Sequence, residues 1–230
     1  MKSISHSGQI RIWLLSTIIM VILMILIGGV TRLTDSGLSM VEWRPLWGFL
    51  PPISQFEWNR VFELYMKSPE YIFKNKGMSL EEFKEIFFWE YFHRLWGRLI
   101  GIIFIIPLLF FIIVKKIPKS ILSKLFLILF LGGLQGFIGW WMVKSGLVND
   151  PTVSQYRLTI HLSNALLILS LLIWVYLDVK EGVSQIKPDF SFFMFSILFI
   201  TIIAGAFVAG MDAGLMYNEY PLMGYSFIPE

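Results

Sequence analysis

Apolar residues gather along this chain into five long runs separated by polar connections, the longest of which is Thr31 to Lys84. A helix crossing the hydrocarbon layer, roughly 30 Å thick, needs about 20 apolar residues. Ile12 to Val30, Leu125 to Val143, Leu158 to Leu177 and Phe190 to Met211 come to that length without a charged residue. The remaining run, from about Ile86 to Val114, carries Glu90, His93, Arg94 and Arg98 in its first half and Pro107 in its second, where a kink is expected. Ser79-Leu80-Glu81-Glu82 has capping-box spacing, so a helix should begin there and continue into this run. The pattern predicts an all-α integral membrane protein, a four-helix transmembrane bundle plus a fifth span.

Composition agrees and narrows the chemistry. With 56% hydrophobic and 15% charged residues, the chain carries more apolar surface than one soluble core buries, so the lipid bilayer is its first partner. The net charge of +3 comes from residues at span edges, which excludes a nucleic-acid role. There is no cysteine, hence no disulfide, thiolate metal site or cysteine nucleophile, and a metal would have to rest on carboxylates or on the three histidines. Lys2 and Arg11, then Lys115, Lys116, Lys119 and Lys124, then Lys180 and Lys187 flank one set of span ends. By the positive-inside rule these ends are cytoplasmic, the N-terminus included, and Thr31 to Lys84 lies outside. The first run is too long for a cleaved signal and reads as a span.

The chain also repeats itself. Asp35-Ser36-Gly37-Leu38 and Glu42-Trp43-Arg44-Pro45-Leu46-Trp47-Gly48 follow span one, and Asp212-Ala213-Gly214-Leu215 and Glu219-Tyr220-Pro221-Leu222-Met223-Gly224 follow span five. The offset is 177 positions from Asp35 to Asp212, with one residue skipped in the second block. Duplication predicts a first unit of four spans, residues 1–189 with outer segment 31–85, and a second unit opened by residues 190–230 whose other spans are absent from this sequence.

Ionisable residues concentrate at the start of span two. At about 100° per residue Glu90, His93, Arg94 and Gly97 share one face, with Arg98 at its edge. Such groups at membrane depth face a partner, a cavity or a ligand. Span four supplies Arg157, His161 and Asn164 on one stripe. His93 stands 21 residues before Val114 and His161 16 before Leu177, a mismatch of about 7 Å at 1.5 Å per residue, which helix tilt absorbs. Two readings stay open. In one, the two imidazoles are axial ligands of a haem iron, with Arg94, Arg98 and Arg157 beside its propionates. In the other, a Glu/Arg ion pair and two histidines join helices by hydrogen bonds. Gly132, Gly133, Gly136 and Gly139 around Gln135 read as a surface for close helix packing that also makes room for a flat ring, and Trp140 and Trp141 read as interface anchors. His6, in the N-terminal tail, is assigned no role.

Five blocks carry a resemblance to the haem A synthases: Gly28-Gly29-Val30-Thr31-Arg32-Leu33-Thr34-Asp35-Ser36-Gly37-Leu38-Ser39-Met40, Glu90 to Arg98, Leu134 to Leu147, Tyr156 to Leu162, and Ala209 to Met223. They stand in the family's order and span the chain from about Ile27 onward. The resemblance implies a duplicated eight-span enzyme that oxidises the C8 methyl of haem O to the formyl of haem A for cytochrome oxidase assembly, with water as the oxygen source. It implies His93 and His161 as the haem pair of the first half, Glu90 as the carboxylate nearest the reacting haem, and haem b in a second half that this sequence lacks. It also implies haem O synthase and an electron acceptor as partners, and the missing C-terminal half or a homo-oligomer to complete the site. The location it implies is the bacterial inner (cytoplasmic) membrane rather than the mitochondrial one. One departure is local: Asn218-Glu219-Tyr220-Pro221-Leu222-Met223-Gly224 stands where the family reads Asn-Thr-Trp-Pro-Leu-Met-Asp. A membrane b-type cytochrome that only transfers electrons, and a proton-coupled transporter using Glu90 and Arg94 without haem, are the competing classes.

Overall fold

The structure is a computed structural model that describes residues 4–44, 48–182, 189–216 and 221–227. Seven α-helices run along the described chain: α1 (Ile4–Leu33), α2 (Gln55–Tyr65), α3 (Pro69–Phe73), α4 (Leu80–Ile113), α5 (Lys119–Ser145), α6 (Gln155–Glu181) and α7 (Phe190–Gly210). Five of them, α1, α4, α5, α6 and α7, are long and apolar enough to cross a membrane. The end of the bundle that carries residues 34–79 is called the upper end below.

Local signals explain the helix starts. Ser54, Ser68 and Ser79 each accept a hydrogen bond from a first-turn backbone N–H of α2, α3 and α4, respectively. At Ser79 the Glu82 carboxylate returns to the Ser79 N–H at 2.7 Å, completing the expected capping box. From there α4 runs 34 residues without a break through Pro107. At 1.5 Å per residue that is about 50 Å, longer than the roughly 30 Å layer, so its first turns project beyond it.

Around the bundle the order is α4, α1, α6, α5. α1 packs against both α4 and α6, α6 against α5, while α4 and α5 meet only sparsely, and α7 lies against α6. The seam between α4 and α5 is thus the open side of the ring, and the histidine-bearing helices α4 and α6 are diagonal. Apolar packing fills the lower half: Trp13, Leu14, Ile18, Phe104, Leu108, Leu125, Ile128, Leu172 and Val175 form one buried cluster. Lys124 and the wholly buried carboxylate of Asp178 close its base at 2.6 Å. Among the described residues no equivalent buried apolar cluster fills the upper half between the helices. A second cluster, Tyr65, Phe83 and Phe87 with Trp58, Phe62 and Tyr71, sits above, where α2 and α3 fold over the first turns of α4.

The repeat is visible in the backbone. Asp35 and Asp212 both take the left-handed conformation, φ 50° and 52°. Thr34 N–H bonds the Val30 carbonyl as Met211 bonds Phe207, Asp35 bonds Arg32 as Asp212 bonds Ala209, and Ser39 bonds Ser36 as Met216 bonds Ala213. Every pair is offset by 177. Pro45 to Trp47, Glu219 and Tyr220 of the second repeat block lie outside the described residues, as do Lys2, Lys187 and the His6 side chain.

A candidate haem site in the upper half of the bundle

The segment leaving α1 turns back across α4, and Glu90 is what fixes it there. Its carboxylate, only 3% exposed, accepts from Ser39 Oγ at 2.7 Å and from the Met40 N–H at 2.6 Å, and pairs with Arg94 one turn along α4. Arg94 also donates to the carbonyls of Met40 (3.0 Å) and Glu42 (3.3 Å) and lies 5.4 Å from the Trp43 ring centroid. Arg98 donates to the Arg44 carbonyl at 2.9 Å and covers Phe49. Further out, Arg60 grips Glu42 through two bonds of 2.9 and 3.1 Å, holding that carboxyl below the usual range. Glu70 is the opposite case. Buried beneath the aromatic cluster with Tyr65 Oη donating to it at 2.9 Å, it is pushed up to about 7 by desolvation, with Glu90's charge adding to the rise.

The two predicted histidines lie nearer the upper than the lower ends of α4 and α6. Each lies against a glycine of a neighbouring helix. A Cβ at Gly28 of α1 would meet His93 Cε1 at 3.1 Å, and one at Gly139 of α5 would meet His161 Cε1 at the same distance. His93 Nδ1 is buried without a hydrogen-bond partner. His161 is held by the Gln135 side chain, whose Nε2 donates to the His161 carbonyl at 3.1 Å and whose Oε1 accepts from Asn164 at 2.7 Å. Gly132, Gly133 and Gly136 have open space where a side chain would go. Of the glycines expected to pack helices closely, only Gly139 is tight, and against an imidazole.

Where α4 and α5 part, the upper end holds a cavity of about 370 Å³ lined by Met40, Trp43, Arg94, Trp140, Val143 and Lys144. Its two cations are Arg94, as the sequence indicated, and Lys144 in the last turn of α5. Arg157 is elsewhere: it donates to the Trp141 carbonyl at 2.7 Å and stacks 4.5 Å from that ring. The structure therefore pairs Glu90 with Arg94 one turn from His93, sets Lys144 across the cavity from Arg94, and leaves Arg98 and Arg157 at the flanks as clamps on backbone carbonyls. Among the described residues no three His, Asp or Glu side chains converge as a cage for a bare metal ion. An iron that brings four nitrogen ligands of its own needs only two imidazoles, and an orphaned Nδ1, glycine-flanked rings and cations at the cavity mouth fit such a group. Gln135 and Asn164 are the residues that sequence reasoning undervalued; the signal was an amide side chain inside a glycine-rich span.

Comparison with known proteins gives relatives over nearly the whole chain. It is 51% identical to the heme A synthase of Nitrosospira multiformis over 228 residues, 96% of this chain and 64% of the relative. Against the heme A synthases of Parvibaculum lavamentivorans and Granulibacter bethesdensis the identities are 44% and 48%, over 100% and 95% of this chain. The chain spans 68% and 60% of those two proteins. No solved structure matches it. The cytochrome oxidase assembly protein family matches residues 11–230, taking in all five spans and both histidines, and the chain belongs to that family.

Proposed function

We propose that this chain is the haem O-binding part of a haem A synthase, with His93 and His161 as the iron ligands and Glu90 as the proton-handling group. The observation that carries this reading is the pair of imidazoles carried on diagonal helices of a bundle whose upper half, among the described residues, has no buried apolar cluster between the helices, each ring flanked by a glycine. The names of the relatives support the substrate.

On this reading the substrate haem supplies the redox chemistry, its methyl group becoming a formyl with oxygen from water and four electrons and four protons released. The chain's own residues bind, orient and move protons. His93 and His161 fix the ring at the upper level of the bundle, and Arg94 and Lys144 at the cavity mouth suit its carboxylates. Glu90 lies one turn from His93 on α4 and is held in place by Ser39, Met40 and Arg94, so it takes up a proton at a defined carboxylate oxygen. Arg94 keeps the Met40 and Glu42 carbonyls as Glu90 is neutralised, so the segment above does not loosen. An acceptor must remove the electrons. The upper end faces the outside of a bacterial cytoplasmic membrane, since Lys115, Lys116, Lys119, Lys124 and Lys180 all lie at the opposite end.

A second reading has its own observation: Glu90 accepts from Ser39 and Met40, and its partner Arg94 donates to the Met40 and Glu42 carbonyls, so together they tie this segment to α4 as a purely structural pin would. Purified from haem-replete cells, the chain should carry at most one low-spin haem, quantified as pyridine haemochrome, and should lose it in the His93→Ala/His161→Ala double variant. A colourless protein, or two haems per chain, overturns the proposed site.

A further inference from the structure

The two histidines are held unequally, and the difference lies in α5. Gln135 Nε2 stands 3.3 Å from His161 Nδ1 and 3.2 Å from His161 Nε2. A point equidistant from both ring nitrogens in the ring plane would fall inside van der Waals contact with Cε1, so the amide lies over the ring face. It contacts the π surface and leaves the in-plane lone pairs clear. The amide cannot turn over without loss: its Nε2 already donates to the His161 carbonyl at 3.1 Å, and its Oε1 accepts from Asn164 Nδ2 at 2.7 Å. Asn164 is itself buried and anchored on the Leu131 carbonyl at 3.2 Å, at the top of the apolar cluster. His161 is thus clasped over its ring face by an amide that is also bonded to the His161 carbonyl and to Asn164, and its Cε1 edge rests against Gly139. His93 has the matching glycine contact at Gly28, and its Nδ1 has no hydrogen-bond partner among the described residues.

We infer that Gln135, set by Asn164, is a positioning residue that fixes the ring plane of His161 while leaving its nitrogens free to coordinate, so that His161 is the permanent axial ligand and His93 the exchangeable one. This rests on the reading of the two histidines as a haem pair. A ligand whose rotation is already restricted loses little freedom on binding, and outer partners of a metal-bound histidine typically contribute 10–100-fold in affinity. Among the described residues His93 has no such clasp over its ring face, so it loses more rotational freedom on binding than His161 does. An exchangeable ligand next to Glu90 places the opened coordination position on the side where protons are handled.

The test uses the full chain with haem bound. Gln135→Met keeps the side-chain length and removes the amide. It should lower haem affinity about tenfold and change the g anisotropy of the low-spin ferric signal, which reports the angle between the two imidazole planes. Asn164→Leu, which releases Gln135 without touching His161, should shift the same signal in the same direction. Among single variants, His161→Ala should lose haem about tenfold more readily than His93→Ala, and carbon monoxide added to the ferrous wild type should leave the His161 bond in place. Unchanged g values and affinity in Gln135→Met, or equal haem loss from the two single histidine variants, overturn the inference. A wild-type spectrum that survives the double histidine replacement instead overturns the haem-pair reading itself.

Discussion

Asp35 and Asp212, 177 positions apart, close α1 and α7 with the same left-handed backbone, and Arg32, itself three residues before Asp35, crosses the gap to bond Asp212 at 3.0 Å and the Ala209 carbonyl. Ala209 is the position that matches Arg32 in the repeat, so the contact joins equivalent points of the two units. A left-handed residue with a Cβ costs about 1–2 kcal/mol, a cost that Gly escapes and Asp bears more easily than a β-branched residue. Asp35→Gly should therefore be neutral and Asp35→Val should lower stability by about that amount, as read from thermal unfolding in detergent. Equal stability of the two variants would show that the turn is not under conformational constraint.

Glu90→Gln keeps the size of the side chain and one oxygen to accept from Ser39 and Met40, but removes charge and proton transfer. Haem content should stay within about twofold of the wild type. In an enzyme completed by the second unit, haem A yield should fall on the order of 10²-fold or more, measured by haem extraction and chromatography from cells supplied with haem O. Near-normal haem A would support the structural-pin reading instead.

The glycines flanking the histidines should be sensitive where others are not. Gly28→Ala and Gly139→Ala place a methyl 3.1 Å from an imidazole carbon, so the ring must shift, and haem content should drop with a perturbed low-spin band. Gly205→Ala on α7, where the added methyl meets open space, should leave both unchanged. Identical spectra for all three would show that the rings are not held by these helices.

Glu70 gives the upper segment a pH dependence whose sign follows from its surroundings. Its folded-state value is raised from an ordinary 4.5 to about 7, so the folded form holds the proton more tightly than the unfolded form. The stabilisation is fully present below about 4.5 and is lost as pH rises through about 7. Protease resistance of residues 50–79 should weaken across that window, and Glu70→Gln should flatten the dependence. A wild-type profile with no slope between those values would contradict the buried, Tyr65-bonded acid seen here.

Membrane orientation is checked by reporter fusions after Lys119, at the lower end, and after Asp150, in the α5–α6 connection. The first should report cytoplasm and the second the outer side. The reverse pattern would place the site on the cytoplasmic face.

The spans and the start of α4 at Ser79 were legible in the sequence, and Glu90, His93, Arg94 and His161 stood out there as candidates, because each reading rests on short-range rules. Apolar length decides whether a helix crosses lipid, Ser-x-x-Glu spacing decides a cap, and a charged face in an apolar run has no benign place to go. What only the tertiary structure decided depends on which helices become neighbours. Gln135 turned from a packing residue into a clasp because α5 abuts α6, and Lys144 joined Arg94 at one cavity because α4 and α5 part above. Arg98 and Arg157 were bound to backbone carbonyls, and Glu42 and Arg60 paired across 18 residues of an irregular segment. No periodicity encodes contacts between side chains on different helices. They follow from the angle and register at which helices settle, and these are fixed by the whole set of packed surfaces at once.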